Sequence, residues 1–353
     1  MRTYLICAAM LTAAPATAQE GPWRVSADRA ELPAAKIALP IRVAGLALVK
    51  TGESTEKGSG LDDYAQFESA DRKLFATAYV YRTTYPDAAL AAYGTDRAVR
   101  GRFPTTRVAS QTVVALAGRP GTAIRSVYEG ATMAGASVTT AAAFARVGDW
   151  VLKLRVSGPA ERAAEVTRAL DALLSGLTVD GAVIVPAAKP LAFAAPCPAD
   201  GSKAKMVKGD DAVGASILSG LIGAVSDGGK GPAPFPANGA TPVCVRGALA
   251  LGEQRLDLLQ PVGEAEPSRV IAMLNDAGAV LSVEPAIMGK GYTIKTYVVG
   301  AVETRGTLDR LPRTDQIAGW LLKPQNDAMR VRSRANVVRD GKLEITVDPK
   351  TFR

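Results

Sequence analysis

The chain contains no histidine, only three cysteines, and aromatic residues at 5%. Without imidazole it lacks the commonest general base, the usual metal ligand and the side chain that titrates near neutral pH. Serine-histidine-aspartate and cysteine-histidine catalysis are excluded, and a zinc site would need ligands that the cysteines do not supply. No metal and no cofactor is expected. Past the leader, no stretch offers about 18 unbroken apolar residues, the length that spans a bilayer.

The first eighteen residues, MRTYLICAAMLTAAPATA, carry one early arginine, an apolar run from Tyr4 to Leu11 and the small-x-small triplet Ala16-Thr17-Ala18. That is the pattern of a secretory signal cleaved after Ala18, which predicts a periplasmic or secreted product. Cys7 lies in the apolar run after Tyr4-Leu5-Ile6, so the small residue that precedes a lipid-modified cysteine is missing. The mature chain of about 335 residues is long enough for two domains with a core each. Hydrophobic residues at 48% and charged residues at 22% describe a globular protein. The net charge of +8 favours anionic neighbours without naming one.

Removal of the leader leaves Cys197 and Cys244 in an oxidising compartment, where they permit one intramolecular pairing. A disulfide between them is expected; the alternative is two buried free thiols.

A stretch rich in alanine and proline over 181–198 suits a linker between a unit over 37–180 and a second unit over 199–353. Ala38 to Val49 reads as an opening strand. Lys73 to Arg82 alternates, with Phe75, Thr77, Tyr79 and Tyr81 on one face and Leu74, Ala76, Ala78 and Val80 on the other, so both faces should be covered. The aromatic row suits a sheet face beneath a helix, or a ligand groove. After Pro86 comes a helix with Asp87 as N-cap and Gly94 weakening its middle. Strands at Arg107 to Leu116, Thr122 to Tyr128 and Ser137 to Arg146 follow. In GDWVLKLRVSGPAERAAEVTRALDALLSGL a strand turns Trp150, Leu152, Leu154 and Val156 one way and Lys153 and Arg155 the other. A helix capped by Ser157 or Gly158 then places Val166, Leu170, Leu173, Leu174 and Leu177 on one side.

This order of elements over Ile37 to Val179, with GDWVLKLRVSGP leading into its helix, resembles the exported DcrB-like relatives of the PsbP/Mog1-like sandwich. The resemblance implies an antiparallel sheet between helices, in a module that binds or assists assembly, and it carries over no site residue. The fold class expected for the whole chain is α+β, two domains, each an antiparallel sheet packed with helices.

In the second unit the pattern predicts an apolar helix over 211–225, too short to span a bilayer but suited to a buried position or to peripheral membrane contact. Strands are expected at Val243 to Leu251, Arg255 to Gln260, Val280 to Pro285 and Tyr292 to Val302, with helices at Pro267 to Asp276 and Asp315 to Leu322.

Near the end, MRVRSRANVVRDGKLEI sets Arg330, Arg332 and Arg334 at period two. A three-residue turn at Arg339-Asp340-Gly341 would pair Val337 with Leu343 and Ala335 with Ile345, so that every apolar residue lies on one side and the arginines face outward. Such a row is either a solvated outer face or a binding site for carboxylate or phosphate groups. Ser54 to Lys57 fits a Ser-x-x-Lys pattern, but it sits in a polar loop where lysine would stay solvated. Export and the lack of a basic-aromatic platform argue against nucleic acid. The function expected is therefore a non-catalytic binding or envelope-assembly module, its partner an envelope protein or an anionic polymer. The alternatives are a peripheral membrane factor using the 211–225 helix and a histidine-independent hydrolase.

Overall fold

The computed structural model describes residues 21–55, 59–194, 196–207, 239–251, 254–263, 269–286, 291–323, 325–337 and 343–348. The 211–225 helix, Lys57 and the 339–341 turn lie outside them. The first half contains β1 (Arg24–Val25), β2 (Arg29–Leu32), β3 (Ile37–Pro40), β4 (Arg42–Val43), β5 (Leu46–Glu53), β6 (Asp62–Ser69), β7 (Phe75–Tyr81) and helix α1 (Ala88–Arg102). Then come β8 (Arg107–Leu116), β9 (Arg119–Met133), β10 (Ala136–Val147), β11 (Trp150–Pro159), α2 (Ala163–Gly176) and β12 (Thr178–Val179). The second half has β13 (Val243–Leu251), β14 (Gln254–Pro261), β15 (Val270–Met273), β16 (Val280–Pro285), β17 (Tyr292–Val298) and β18 (Ala301–Leu308). Helix α3 (Thr314–Leu322), β19 (Ser333–Val337) and β20 (Leu343–Val347) complete it.

The result is a sheet-rich α+β fold in three sheets with antiparallel strand pairing. A small sheet runs β1-β2-β3-β12; the first large sheet runs β4-β5-β6-β7-β11-β10-β9-β8; the second is a meander from β13 to β20. The central strands of the first large sheet are buried on both faces, so burial does not alternate along them. Ala76, Ala78 and Val80 join Leu152, Leu154 and Val156 against Val166, Leu170 and Leu173 of α2. The opposite face, with Tyr81, Ile124, Phe144 and Val151, packs on the alanines of α1.

Helix α1 is enclosed on two sides. Asp87 caps it by accepting from the backbone N–H groups of Ala89 and Leu90 at 2.8 and 2.9 Å. Ala88, Ala89, Ala91 and Ala92 meet the first large sheet, where short side chains let a helix approach closely. Leu90, with Tyr85, reaches the other way into Leu259, Ile271, Met273, Val280 and Tyr297 of the second large sheet. Gly94 serves the same approach, because a Cβ there would stand 3.0 Å from the Met273 methyl group. The far face of the second large sheet, including Leu258, Val283, Ile294 and Leu308, is covered by Ile317 of α3 and by Met329.

Hydrogen bonds fasten the two large sheets to each other beside α1. The Gly300 N–H donates to the Arg82 carbonyl at 2.9 Å, and the Thr84 hydroxyl donates to the Ala301 carbonyl at 2.9 Å. Gly278, at φ +83°, lies so close to the Tyr81 ring that a Cβ would come within 2.7 Å of it. The 181–198 stretch, read as a linker, is bonded to both sheets: Ala188 N–H donates to Gly121 and Ala194 N–H to Val243, at 2.9 and 2.8 Å. Cys197 and Cys244 form a disulfide with Cα atoms 5.3 Å apart. Among the described residues no helix is long and apolar enough to cross a membrane.

Several expected elements differ. The helix expected at Pro267 to Asp276 is instead strand β15, which pairs with β14 and β16 and buries all four of its residues. Its run is too short to show a helical period, and pairing on both sides outweighs local propensity. The strand expected at Tyr292 to Val302 is two strands, β17 and β18, folded at Val299 and Gly300 with Gly300 at φ +66°. The opening strand at Ala38 to Val49 is broken at Ala44 and Gly45, both at positive φ. Neither Ser157 nor Gly158 caps α2: β11 continues through Pro159 and a 3-10 turn at Ala160–Arg162 leads into the helix.

Candidate functional site

The arginine row takes the expected register, with Val337 opposite Leu343, Ala335 opposite Ile345 and Arg334 opposite Thr346. Ser333, Ala335 and Val337 are buried, whereas Arg334 is exposed. Arg330 departs from the expected row, since it ends the 3-10 turn Asp327–Met329 ahead of the strand. Each guanidinium has a nearby carboxylate. Arg330 Nε donates to Asp348 at 2.9 Å, Arg332 to Asp327 at 2.7 Å and Arg334 to Glu303 at 2.9 Å. The row is thus neutralised by its own surroundings.

A different set of arginines converges where the two large sheets meet α1. A cleft of about 420 Å³ opens there, bordered by the C-terminal half of α1, by β11, by β14 and by the turn after β15. Arg97 and Arg102 come from α1, Arg155 from β11 and Arg255 from β14. Two carboxylates, Asp257 and Asp276, also line it. Leu256, Met273 and Leu274 supply an apolar wall, with Val99 and Phe103 on the helix side.

Both carboxylates are engaged. Asp257 is sunk beneath the cleft, where it accepts from the Tyr93 hydroxyl and lies 3.2 Å from Arg97 and 3.1 Å from Arg255. Burial and the Asp257 bond together raise the Tyr93 hydroxyl above its ordinary range. Asp276 accepts from Lys153 Nζ at 2.8 Å. Lys153 is only 5% exposed, on the sheet face turned toward α1, and burial lowers its pKa although Asp276 opposes this. Partial burial works to raise the Asp276 carboxyl, but the Lys153 ammonium and the Arg155 guanidinium hold it below the usual carboxylate range.

The remaining cations are Arg102 and Arg155. Arg102 stands over the Phe103 ring at 5.5 Å, and Arg155 stands over Tyr79 at 5.7 Å and donates to its hydroxyl at 3.3 Å. Neither forms an ion pair with a carboxylate among the described residues. Among the described residues the cleft thus carries four guanidinium groups against two carboxylates, an excess of positive charge beside apolar side chains that attracts and orients an oxyanion.

A second polar cluster is sealed. Ser282 and Lys295 are register partners on β16 and β17, and Glu284 lies two residues beyond Ser282. Lys295 Nζ lies 2.7 Å from Glu284, which also accepts from Ser282 at 2.9 Å and from Tyr297 at 3.1 Å. Burial pushes the Glu284 carboxyl up, yet the adjacent ammonium and these donors bring it below its ordinary value. The serine proton points to the carboxylate instead of the lysine, and Ser282 and Lys295 are 0% and 1% exposed, so this is a satisfied buried network rather than a serine-lysine nucleophile. Among the described residues, no three acidic or thiol side chains are grouped to hold a metal ion.

Alternation of WVLKLRV placed Lys153 and Arg155 on the side away from α2, and the partner strand was already expected to be covered on both faces. A lysine beneath cover needs a counter-charge, but nothing in the sequence names Asp276 as its source. Nothing local in the sequence joins Arg97, Arg102 and Arg255 to that point, because they come from α1 and from β14.

No protein-family model and no curated protein matches the chain. Among solved structures, a protein from Bacteroides thetaiotaomicron VPI-5482 is similar at 13% identity and a TM-score of 0.25, over 58% of this chain and 60% of that one. This chain thus spans about 60% of that protein's length.

Proposed function

We propose that the protein is an exported, non-catalytic binding module of two domains, the first PsbP/Mog1-like over 37–180, which captures an anionic partner in the junction cleft in the service of envelope assembly. The observation that carries this reading is the excess of guanidinium over carboxylate in the cleft: among the described residues Arg102 and Arg155 form no ion pair, and Asp276, which Arg155 influences at longer range, is already bonded to Lys153. The hairpin row is set aside as the binding surface because Asp348, Asp327 and Glu303 already occupy it. Catalysis is disfavoured by the absence of histidine and by the engagement of both cleft carboxylates, which leaves no free base beside the cations among the described residues. The leader pattern and the disulfide support export.

The test is native mass spectrometry of the protein released from the cell envelope at low ionic strength. The expected result is a non-covalent anionic adduct that dissociates as salt is raised, is absent from the Arg102→Glu, Arg155→Glu variant and is recovered chemically unchanged after incubation. No adduct, or conversion of the bound material into products, overturns the proposal.

A further inference from the structure

The cleft offers more than charge, and we infer that its ligand is a small molecule in which one oxyanion, a phosphate monoester or a carboxylate, is joined to a compact aromatic or aliphatic body. This assignment rests on the binding reading above and narrows it.

The cleft is lined by both guanidinium and apolar side chains, the two kinds of surface such a molecule requires. Arg102 and Arg155 offer planar donor forks that no described carboxylate holds in an ion pair, while Met273 and Leu274, with Val99 and Phe103 on the helix side, supply apolar lining. A planar fork matches two oxygens of a phosphate or carboxylate, and an unbranched methionine adapts to the shape beside it. Arg97 and Arg255 lie near Asp257, and Asp257 is held by Tyr93, so part of the cationic rim is positioned before any ligand arrives. Pre-positioning reduces the ordering cost of binding.

Size and layout favour a compact ligand over a polymer. The volume of about 420 Å³ falls at the small end of the range typical of small-molecule sites. The four arginines come from three elements, α1, β11 and β14, and close on one hollow instead of following a track across the surface. Arg102 stands in the last turn of α1 and also stabilises the carbonyl end of that helix, but this role does not account for Arg155 or Arg255 on the opposite walls.

Isothermal titration at low ionic strength with four probes tests the assignment: phenyl phosphate and phenylacetate, which have both parts; inorganic phosphate, the head alone; and benzyl alcohol, the body alone. Phenyl phosphate or phenylacetate is expected to bind at least tenfold more tightly than either single-part probe. Arg102→Gln, Arg155→Gln should weaken it at least tenfold, with the thermal transition retained because both side chains are exposed, and Arg330→Gln, Arg334→Gln should leave it unchanged. Whichever two-part probe binds the more tightly tells which head group the forks prefer.

Equal affinity for inorganic phosphate and phenyl phosphate, or undiminished affinity in the Arg102, Arg155 variant, overturns the assignment. An envelope-derived adduct accompanied by no two-part preference removes the ligand class and leaves the binding reading standing. A probe bound as expected but converted into product removes the non-catalytic reading and leaves the ligand class.

Discussion

The hairpin arginines and the cleft arginines are the same residue type under opposite electrostatic conditions. Arg330, Arg332 and Arg334 lie within five residues of one another, and each meets a carboxylate supplied by its own hairpin, its preceding turn or the neighbouring strand. Arg97, Arg102, Arg155 and Arg255 come from well-separated segments of the sequence, and the fold brings them together around two aspartates that are already bonded. Charges close in sequence are readily compensated by neighbours close in sequence. A surplus arises where distant segments meet, and a periodic local pattern does not reveal it.

The comparison is broken most severely by damaging the junction itself. Leu90 is 1% exposed between the sheets, and Leu90→Ala should cost about 2–5 kcal/mol in urea unfolding. Ile345→Ala, at a hairpin position 40% exposed, should stay within about 0.5 kcal/mol. Equal effects would mean that α1 does not tie the two sheets together.

Asp276→Ala comes next, since it leaves the buried Lys153 ammonium without its partner. A loss of about 1–3 kcal/mol is expected at neutral pH, the lower part of the range reflecting the half-exposed aspartate, whereas Lys153→Met should be close to neutral. The pH dependence follows from the lowered Asp276 carboxyl. Its folded value lies below the ordinary 3.8, so its stabilising contribution is present above that value and is lost as pH falls through the folded value. Acid unfolding of Asp276→Asn should accordingly be flatter than that of the parent below about pH 4.

A smaller effect separates the members of the hairpin network. Glu303 accepts from both Arg305 and Arg334, and Glu303→Gln should cost about 1–2 kcal/mol, compared with under about 1 kcal/mol for Arg334→Ala. If Arg334→Ala proved the costlier of the two, the row would be a structural clamp and not a solvated face. The smallest expected change is Gly94→Ala. A flexible Met273 methyl is the nearest obstacle, so the gain in helix propensity, up to about 1 kcal/mol, should outweigh a small displacement.

Where one side of an element faces a core and its neighbours lie nearby, the sequence was informative. The alternation of β7, the apolar side of α2, the Asp87 cap, the hairpin register and the Cys197–Cys244 pairing could all be read from spacing or elimination, whereas Phe75, expected under cover at the start of β7, is 48% exposed. Helix α1 was harder, because its alanines gave composition without a clear apolar side, and an element covered on both sides has little reason to show one. Strand β15 was misread because four buried residues are too few to reveal a period. The cleft was the least legible part, since its arginines become neighbours only after the two large sheets close around the helix.

The enclosure of α1 also orders the events of folding. The surface formed by Tyr85 and Leu90 is made early in the chain, yet the strands that cover it, from Leu259 to Val337, are supplied only by the last third. An emerging amino-terminal half must leave that apolar ridge uncovered until its complement arrives. The two halves, produced as separate polypeptides in one cell, should seek each other out and assemble without a covalent connection.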